Sequence, residues 1–211
     1  MPQASIELKV YLARIDSDFS RKICKKYSLS QDSHNKLLAR SLPLASQQVM
    51  VSRALISFIL DVDWSTSSSS YMLDDSVIPP GIVPPGDLYL SLSHSGDYVA
   101  AVVSTNRVAV DIEHAMRNRD YIELAGKAFH LNEVGIIKAS ASTNELQERF
   151  YKTWTLRECF YKLGILQILT DPEFDSECKL SETGYAHFTY ASDDTYLAVI
   201  SEKAINVSLI N

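Results

Sequence analysis

Residues 88–113 read LYLSLSHSGDYVAAVVSTNRVAVDIE, which is the clearest strand pattern in the chain. Three runs rich in β-branched and aromatic residues, Leu88–Ser93, Tyr98–Ser104 and Arg107–Glu113, are separated by the short turn signals SGD and TN. Consecutive strands joined by such short turns are typical of antiparallel neighbours. The stretch therefore predicts a three-stranded β-meander.

The carboxyl end of the chain repeats this pattern, with three strand-like runs between residues 185 and 210. The sequence YVAAVVS at 98–104 aligns with YLAVIS at 196–201 with one gap, which favours an internal duplication. We expect an α+β fold of two similar lobes related by a pseudo-twofold axis, each an antiparallel β-meander packed with helices. The expected lobes are residues 1–105 and 106–211.

Elsewhere, helix signals alternate with one long loop. Residues 64–87 contain a Ser/Thr run and the motif IPPGIVPPG, which predict a surface loop with polyproline character. A capping box of Ser142 and Glu145 opens the best-defined helix, and Gly164 ends it. The remaining periodic segments predict a strand at Glu7–Ile15 and helices at Gln47–Leu60, Asp120–Phe129, Asn132–Ala139 and Glu145–Leu163.

Composition argues against several classes of partner. A formal net charge of -6 is unfavourable for a nucleic-acid binder, which needs an excess of Lys and Arg. No run approaches the ~20 apolar residues of a membrane helix, and the first ten residues lack the pattern of a signal peptide. Three cysteines at irregular spacing fit neither a disulfide framework nor a zinc cage, so we expect reduced thiols and a cytoplasmic protein.

Two carboxylates stand two positions apart on the third strand of the first meander. Asp111 and Glu113 leave the same face of the sheet, because side chains alternate along a strand. Such a pair can hold Mg²⁺, which prefers oxygen ligands, although an isolated Asp-x-Glu is far more often a solvated strand end. In the repeat, Ser208 stands where Asp111 does, so only one lobe can supply this ligand.

Glu158 and Lys162 are four residues apart on the best-defined helix and therefore share a face. An ordinary surface salt bridge accounts for the pair when it is taken alone. The surrounding sequence FYKTWTLRECFYKLG (150–164) is rich in aromatic residues, so part of this face is expected to be buried. A buried carboxylate is costly without a partner, which favours a metal ion beside Glu158.

His94 lies in the sequence SLSHSG, at the end of the first strand of the meander. A histidine beside hydroxyls and a glycine turn can bind a phosphate group, or it can simply satisfy its own loop. The seven glycines form no Gly-x-Ser-x-Gly elbow, no Walker A loop and no Gly-x-Gly-x-x-Gly fingerprint. These absences argue against a serine hydrolase and against nucleotide binding by those two folds.

Taken in order, the segments SHSG (93–96), VAVDIE (108–113) and WTLRECFYK (154–162) resemble the 4'-phosphopantetheinyl transferase superfamily. Its pattern is Gly-x-Asp-x-Glu on a strand, followed by Trp/Phe-Ser/Cys/Thr-x-Lys-Glu-Ser/Ala-x-x-Lys on a helix, and AFHLNE (128–133) is similar to an intermediate Phe-Ser-x-x-Glu step. The chain length resembles the two-lobed surfactin-synthetase-activating type. That resemblance implies one compact pseudo-duplicated unit with its active site at the cleft between the lobes.

The resemblance also implies roles for individual residues. The magnesium ligands would be Asp111, Glu113 and Glu158; Glu158 would also activate the acceptor serine, and Lys162 would hold the charge on the leaving group. The residues expected to contact coenzyme A are Ser93, His94, Lys36, Arg40, Arg53 and Arg157. Two positions of the motifs differ from the family pattern: Ala109 stands in place of the glycine, and Arg157 stands in place of a lysine. In addition, this chain lacks the Gly-Lys-Pro step that many relatives carry before the meander.

The implied activity is transfer of the 4'-phosphopantetheine arm of coenzyme A to a serine of an acyl or peptidyl carrier protein, with release of 3',5'-ADP. The alternatives are a catalytically silent homologue that still binds a carrier, and a magnesium-dependent phosphohydrolase. We expect a monomer, because an internal duplication supplies both halves of the cleft in one chain. Carriers of the family are acidic, so the basic residues Arg117, Arg119 and Lys127 are the expected docking patch.

Overall fold

The computed structural model describes residues 5–27, 43–65, 71–74, 81–83, 87–115, 119–165, 167, 169, 185–192 and 194–211. The fold is α+β, with antiparallel strand pairs and several helices, as the sequence predicts. In chain order the elements are β1 (Ile6–Arg14), α1 (Asp18–Lys26), α2 (Pro43–Ile59), a π-helical turn (Leu60–Trp64), β2 (Met72–Asp74), β3 (Gly81–Val83), β4 (Tyr89–Ser95), β5 (Tyr98–Ser104), β6 (Val108–His114), α3 (Tyr121–Ala128), α4 (Leu131–Lys138), α5 (Thr143–Lys162), β7 (Ala186–Ser192), β8 (Thr195–Ser201) and β9 (Ile205–Ile210).

The chain divides into two compact units. The amino-terminal unit comprises residues 7–108 and 207–211, and the carboxyl-terminal unit comprises residues 1–6 and 109–206. The similarity of two duplicated lobes, and their boundary at residues 105 and 106, stay predictions.

The amino-terminal unit is built on a sheet with the strand order β4-β5-β1-β9. In β5, every residue from Val99 to Ser104 is buried, and its apolar side chains pack with Leu55, Ile56 and Ile59 of α2. Fully burying a side chain of this size contributes about 1.5–3 kcal/mol, so this layer is a main source of the unit's stability.

The expectation of a three-stranded meander in each lobe is wrong in the placement of the third strand. β6 joins the other sheet, which has the order β6-β8-β7, and β9 joins the first. The reason is that β5 has no free edge, because β4 pairs with one side of it and β1 with the other, as the pairs His94↔Val99 and Val10↔Val102 show. In the second sheet, β8 is flanked by β6 and β7 in the same way.

Two further differences concern the amino-terminal half. Sequence periodicity did not predict α1, yet its signals are local: Ser17 accepts a hydrogen bond from the Ser20 amide, and Lys25 and Lys26 occupy the last turn. Within the predicted loop 64–87, the described residues include the short antiparallel pair of β2 and β3. The β-branched Ile82 and Val83 of β3 favour an extended backbone there.

The π-helical turn at the end of α2 carries two acidic residues, each of which pairs with a lysine and accepts a hydrogen bond from a tyrosine hydroxyl. Asp63 accepts from Lys9 Nζ at 2.7 Å and from Tyr11 OH at 2.6 Å. Asp61 accepts from Lys26 Nζ at 2.9 Å and from Tyr27 OH at 2.6 Å. These bonds connect the end of α2 to β1 and to α1.

The carboxyl-terminal unit packs α5 against its sheet. Leu156, Cys159 and Phe160 of α5 are fully buried with Ala198 and Ile200 of β8, in a cluster that also contains Ala109 of β6. Among the described residues, no helix is long and apolar enough to cross a membrane.

Candidate functional site

Strand β6 places an acidic side chain inside the carboxyl-terminal unit. Asp111 is 5% exposed, whereas Glu113, two positions further on, is half-buried at the end of the strand. Ile112 between them is buried on the opposite side. The strand therefore presents two carboxylates on one face, with the first deeper than the second.

Helix α5 brings Glu158 and Lys162 to this strand. Ser142 caps its first turn by accepting from the Glu145 amide, and the helix ends before Gly164, which adopts a positive φ of 70°. The rotation of α5 about its own axis is fixed, because its last turns are anchored in the core by Leu156, Cys159 and Phe160. Glu158 and Lys162 consequently lie on the side of α5 that faces β6.

The two elements meet in a direct ion pair. Lys162 Nζ donates to Asp111 Oδ1 at 2.7 Å and to the Val110 carbonyl oxygen at 2.9 Å. The Asp111 side chain is only 7% exposed, while that of Lys162 is 28% exposed. The sequence predicted that these residues belong to one site, and the structure brings Asp111 and Lys162 into contact.

Glu158 lies in the same electrostatic environment. Burial raises the pKa of its carboxyl group, the negative charge of Asp111 raises it further, and the ammonium group of Lys162 opposes both. The buried thiol of Cys159 also has a pKa well above its usual value, first because of burial and then because of Asp111. Asp111 and Lys162 are therefore close enough to Glu158 to affect the protonation of its carboxyl group.

The chemistry of these donors fits a hard divalent cation such as Mg²⁺, since three carboxylates can supply its oxygen ligands. Among the described residues, however, no three His, Cys, Asp or Glu side chains are gathered as they would be around a bound metal. Asp111 Oδ1 is held by Lys162 instead. The assignment of Asp111, Glu113 and Glu158 as metal ligands stays a prediction.

Arg157, which the sequence assigned to coenzyme A, forms a buried ion pair. Its Nη1 lies 2.8 Å from Glu133 Oε2, and Glu133 is 1% exposed. Its Nη2 donates to the Leu169 carbonyl oxygen at 3.2 Å, and the guanidinium lies 5.7 Å from the centre of the Phe129 ring. In this arrangement Arg157 connects α5 to α4 beside Glu158, and its predicted contact with coenzyme A stays untested.

Sequence reasoning missed this function of Glu133, although it noted the AFHLNE segment. Glu133 Oε2 also accepts from the His130 amide at 3.1 Å, and His130 Nε2 lies 2.7 Å from the Leu169 carbonyl oxygen. The available signal was a glutamate at the third position of a helix that a histidine precedes, which is typical of a capping box. Its pairing with Arg157, 24 residues away, has no local sequence signal.

The other predicted contacts with coenzyme A belong to the amino-terminal unit. His94 and Ser93 lie on β4, where His94 is exposed and Ser93 half-buried, and Arg53 is half-buried on α2. The same helix holds the β4–β5 turn, because Gln48 Nε2 donates to the Gly96 carbonyl oxygen at 2.9 Å. The remaining two, Lys36 and Arg40, lie outside the described residues.

Part of the predicted docking patch is also described. Arg119 is exposed just before α3, and Lys127 forms an exposed pair with Glu123 on that helix. Arg117 lies outside the described residues. The docking patch stays a prediction.

Comparison with known proteins gives two results. Residues 107–205 match the model of the family "4'-phosphopantetheinyl transferase superfamily". The chain is also 29% identical, over 121 residues, to "Enterobactin synthase component D" of Salmonella typhi; the alignment covers 57% of this chain and 50% of that protein. The chain thus spans about half the length of the curated relative that it matches.

The family match includes β6 and α5, and therefore Asp111, Glu158 and Lys162. This match supports the superfamily that the order of the motifs indicated, and residues 107–205 are the part of the chain that is similar to it.

Proposed function

We propose that this protein is a magnesium-dependent 4'-phosphopantetheinyl transferase of the two-lobed type, acting as a holo-carrier-protein synthase. One observation carries the proposal: within the region that matches the family, Lys162 Nζ lies 2.7 Å from the buried Asp111, and Asp111 helps to raise the pKa of Glu158. This constellation combines a partly buried base with a cation, as transfer of a phosphoryl-linked group requires.

In the proposed reaction, the hydroxyl oxygen of the acceptor serine bonds to the phosphorus that bears the pantetheine arm. The bond from that phosphorus to the bridging oxygen of the diphosphate breaks, and 3',5'-ADP leaves with that oxygen. Glu158 takes the serine proton, a role that its raised pKa favours. Lys162 stabilises the negative charge on the leaving group.

Asp111, Glu113 and Glu158 would hold the magnesium ion, which when bound supplies positive charge to the diphosphate. Lys162 now donates to Asp111 Oδ1, and a bound cation would compete with its ammonium group for this carboxylate. The half-exposed lysine can then turn toward the substrate phosphate. In this proposal the ammonium group of Lys162 pairs with Asp111 before the substrate binds, and it pairs with the leaving group during transfer.

The finer assignments are also proposals. The acceptor would be an acyl or peptidyl carrier protein, and the enzyme would act as a cytoplasmic monomer. Ser93, His94 and Arg53 are the described candidates for binding coenzyme A in the amino-terminal unit. They offer hydroxyl, imidazole and guanidinium donors, which suit phosphate groups.

Mass spectrometry of apo carrier proteins after incubation with the protein, Mg²⁺ and coenzyme A tests the proposal. We expect a mass increase of one phosphopantetheine group on the carrier, together with stoichiometric 3',5'-ADP. A carrier that forms a complex but stays unmodified would indicate a silent carrier-binding homologue. Breakdown of coenzyme A without any carrier would indicate a phosphohydrolase.

A further inference from the structure

A cavity of about 130 Å³ lies between α5 and β7 in the carboxyl-terminal unit. Its lining includes Glu148, Lys152 and Thr155 of α5, together with Thr189 and Ala191 of β7. The cavity is smaller than the roughly 300–1,000 Å³ of sites for drug-sized ligands. It therefore suits a small polar molecule rather than a nucleotide or a peptide.

The register of the β7–β8 hairpin decides which side chains of β7 face this cavity. Thr189 lies opposite Ala198, and His187 lies opposite Ile200. Directly opposite residues point to the same face of a sheet, and Ala198 and Ile200 pack with α5. Thr189 and His187 therefore point toward α5 as well. The short side chains of Thr189 and Ala191 leave the space between the strand and the helix unfilled.

Nitrogen donors gather at one end of the cavity. Burial lowers the pKa of His187, and the positive charge of the half-buried Lys152 lowers it further, so these two side chains are near neighbours. The hydroxyl group of Thr189 is on the same face of β7 as His187. An ammonium group beside an imidazole is stabilised by an anion that accepts hydrogen bonds from both. This end of the cavity is therefore complementary to an oxyanion.

The other end of the cavity is acidic. Glu148 is exposed on α5 and precedes Lys152 by four residues, or about 6 Å along the helix axis. Tyr196 also lines the cavity. Burial raises the pKa of its phenol, and the negative charges of Asp194 and Glu148 contribute to the increase. A cationic group is therefore favoured at this end.

This cavity is separate from the candidate active site. Lys152 precedes Lys162 by ten residues, or about 15 Å along the helix axis. In the sheet, β8 lies between β7 and the strand β6 that carries Asp111. The charged residues of the cavity thus have no part in the proposed transfer reaction.

We propose that this cavity binds a small zwitterion, with the oxyanion of the ligand beside Lys152 and its ammonium group beside Glu148. A ligand with a single charge would match one end of the cavity and leave the other without a counter-charge. The spacing of the two protein charges favours a ligand whose own charges are several bonds apart. The inference is independent of the proposed transferase function.

NMR titration of the wild-type protein with a series of amino acids tests the class of ligand. γ-Aminobutyrate should shift the amide signals of Thr189 and Ala191, with a Kd of about 1 mM or below. Glycine, whose charges are too close together, should bind at least about 10-fold more weakly. Butanoate and butylamine, which each carry one of the two charges, should also bind at least about 10-fold more weakly. O-Phosphoethanolamine replaces the carboxylate by a phosphate, and it distinguishes these two oxyanions.

Variants test the two ends of the cavity separately. Lys152→Met and Glu148→Gln each remove one charge and should weaken γ-aminobutyrate binding about 10-fold. Lys138→Met, at an exposed lysine in the last turn of α4, is the control and should bind as the wild type does. The orientation is read from His187: a bound oxyanion beside Lys152 should raise the pKa of its imidazole, measured by NMR.

Three results would overturn the proposal. The first is that no zwitterion of the series, O-phosphoethanolamine included, shifts the Thr189 and Ala191 signals at about 20 mM. The second is equal binding of γ-aminobutyrate and its singly charged analogues by the wild type, a comparison that does not depend on how the variants fold. The third is equal affinity of Lys152→Met and Lys138→Met. A fall in the pKa of His187 on binding would contradict the proposed orientation.

Discussion

Two carboxylate–lysine clusters, one in each unit, differ in how the acidic groups are neutralised. At the end of α2, Asp61 has a lysine and a tyrosine hydroxyl as donors, and these two hydrogen bonds lower its pKa. In the carboxyl-terminal unit, Lys162 pairs with Asp111, whereas the pKa of Glu158 is raised by burial and by the Asp111 charge. The lysine and tyrosine beside Asp61 therefore favour its ionised form in the amino-terminal unit. In the carboxyl-terminal unit, the ionised form of Glu158 is disfavoured, because its pKa is raised.

This difference helps to distinguish carboxyl groups with a structural role from those with a role in activity. The donors around Asp61 favour its ionised form, so this carboxylate already has a partner for its charge. A carboxyl group with a raised pKa gains from binding a metal ion or from taking a proton. The first pattern predicts a role in stability for Asp61, and the second predicts a role in activity for Glu158.

The largest expected effect is that of Glu158→Gln on turnover. The variant keeps the shape and one oxygen ligand but loses the charge and the basicity, so kcat should fall about 10²- to 10⁴-fold. Binding of coenzyme A, measured by calorimetry, should persist with reduced affinity. Turnover at the wild-type rate would remove Glu158 from catalysis.

Lys162→Ala tests the cation of the same cluster. Without the ammonium group the leaving 3',5'-ADP is less well stabilised, and kcat should fall about 10- to 10³-fold. Lys162→Arg keeps the charge and should recover part of the loss, although its geometry differs. Steady-state kinetics of the two variants measures both effects, and equal activity of Lys162→Ala and wild type would contradict the assigned role.

Glu133→Gln should lower the free energy of unfolding by more than the loss of an exposed ion pair does. It removes the charge that neutralises Arg157 in a buried pair, which should cost about 2–4 kcal/mol of the free energy of unfolding. Chemical denaturation measures this change. Glu123→Gln is the control, because its pair with Lys127 is exposed on both sides and should contribute less than about 0.5 kcal/mol. Equal losses would show that the Glu133–Arg157 pair does not hold α4 against α5.

Asp63→Asn tests the structural cluster. The Asp63 side chain is 13% exposed and accepts from Lys9 and Tyr11, so the substitution should lower the free energy of unfolding by about 1–2 kcal/mol. Carrier modification at a temperature where the variant is folded should match that of the wild type. A large loss of activity without a loss of stability would contradict the assignment of Asp63 to a purely structural role.

The smallest effect concerns pH and stability. Because the pKa of Glu158 is raised in the folded protein, its ionisation destabilises the fold, and this cost develops as pH rises above the ordinary carboxyl pKa of 4.5. Glu158→Gln should therefore raise Tm at pH 7–8, by up to about 3 °C without added metal, and the difference should vanish near pH 4. Thermal unfolding across this range provides the measurement; a lower Tm for the variant at pH 8 would contradict the raised pKa.

The sequence predicts the local elements and the motifs well, because their signals are local. The capping residues Ser142 and Glu145 and the terminal Gly164 mark the ends of α5, and the alternation in residues 88–113 marks its strands. The order of the motifs indicated the superfamily whose model matches residues 107–205.

The sequence does not predict which strands pair, because pairing depends on which sheet edges are already occupied. The placement of β6 beside β8 follows from β1 occupying the edge of β5, and nothing within residues 88–113 encodes that choice. Similarly, the pairing of Glu133 with Arg157 and the cavity between α5 and β7 depend on residues that only the packing of these elements brings together.

The most direct test of the central claim is a parallel mass-spectrometric assay of one apo carrier with coenzyme A and Mg²⁺, using wild type, Glu158→Gln and Asp63→Asn. We expect phosphopantetheine transfer by wild type and Asp63→Asn at similar rates, and transfer by Glu158→Gln slowed about 10²-fold or more. If Glu158→Gln modified the carrier as fast as the wild type, or if the wild type modified none of a panel of acyl and peptidyl carriers, the cluster of Asp111, Glu158 and Lys162 would not be the site of phosphopantetheine transfer.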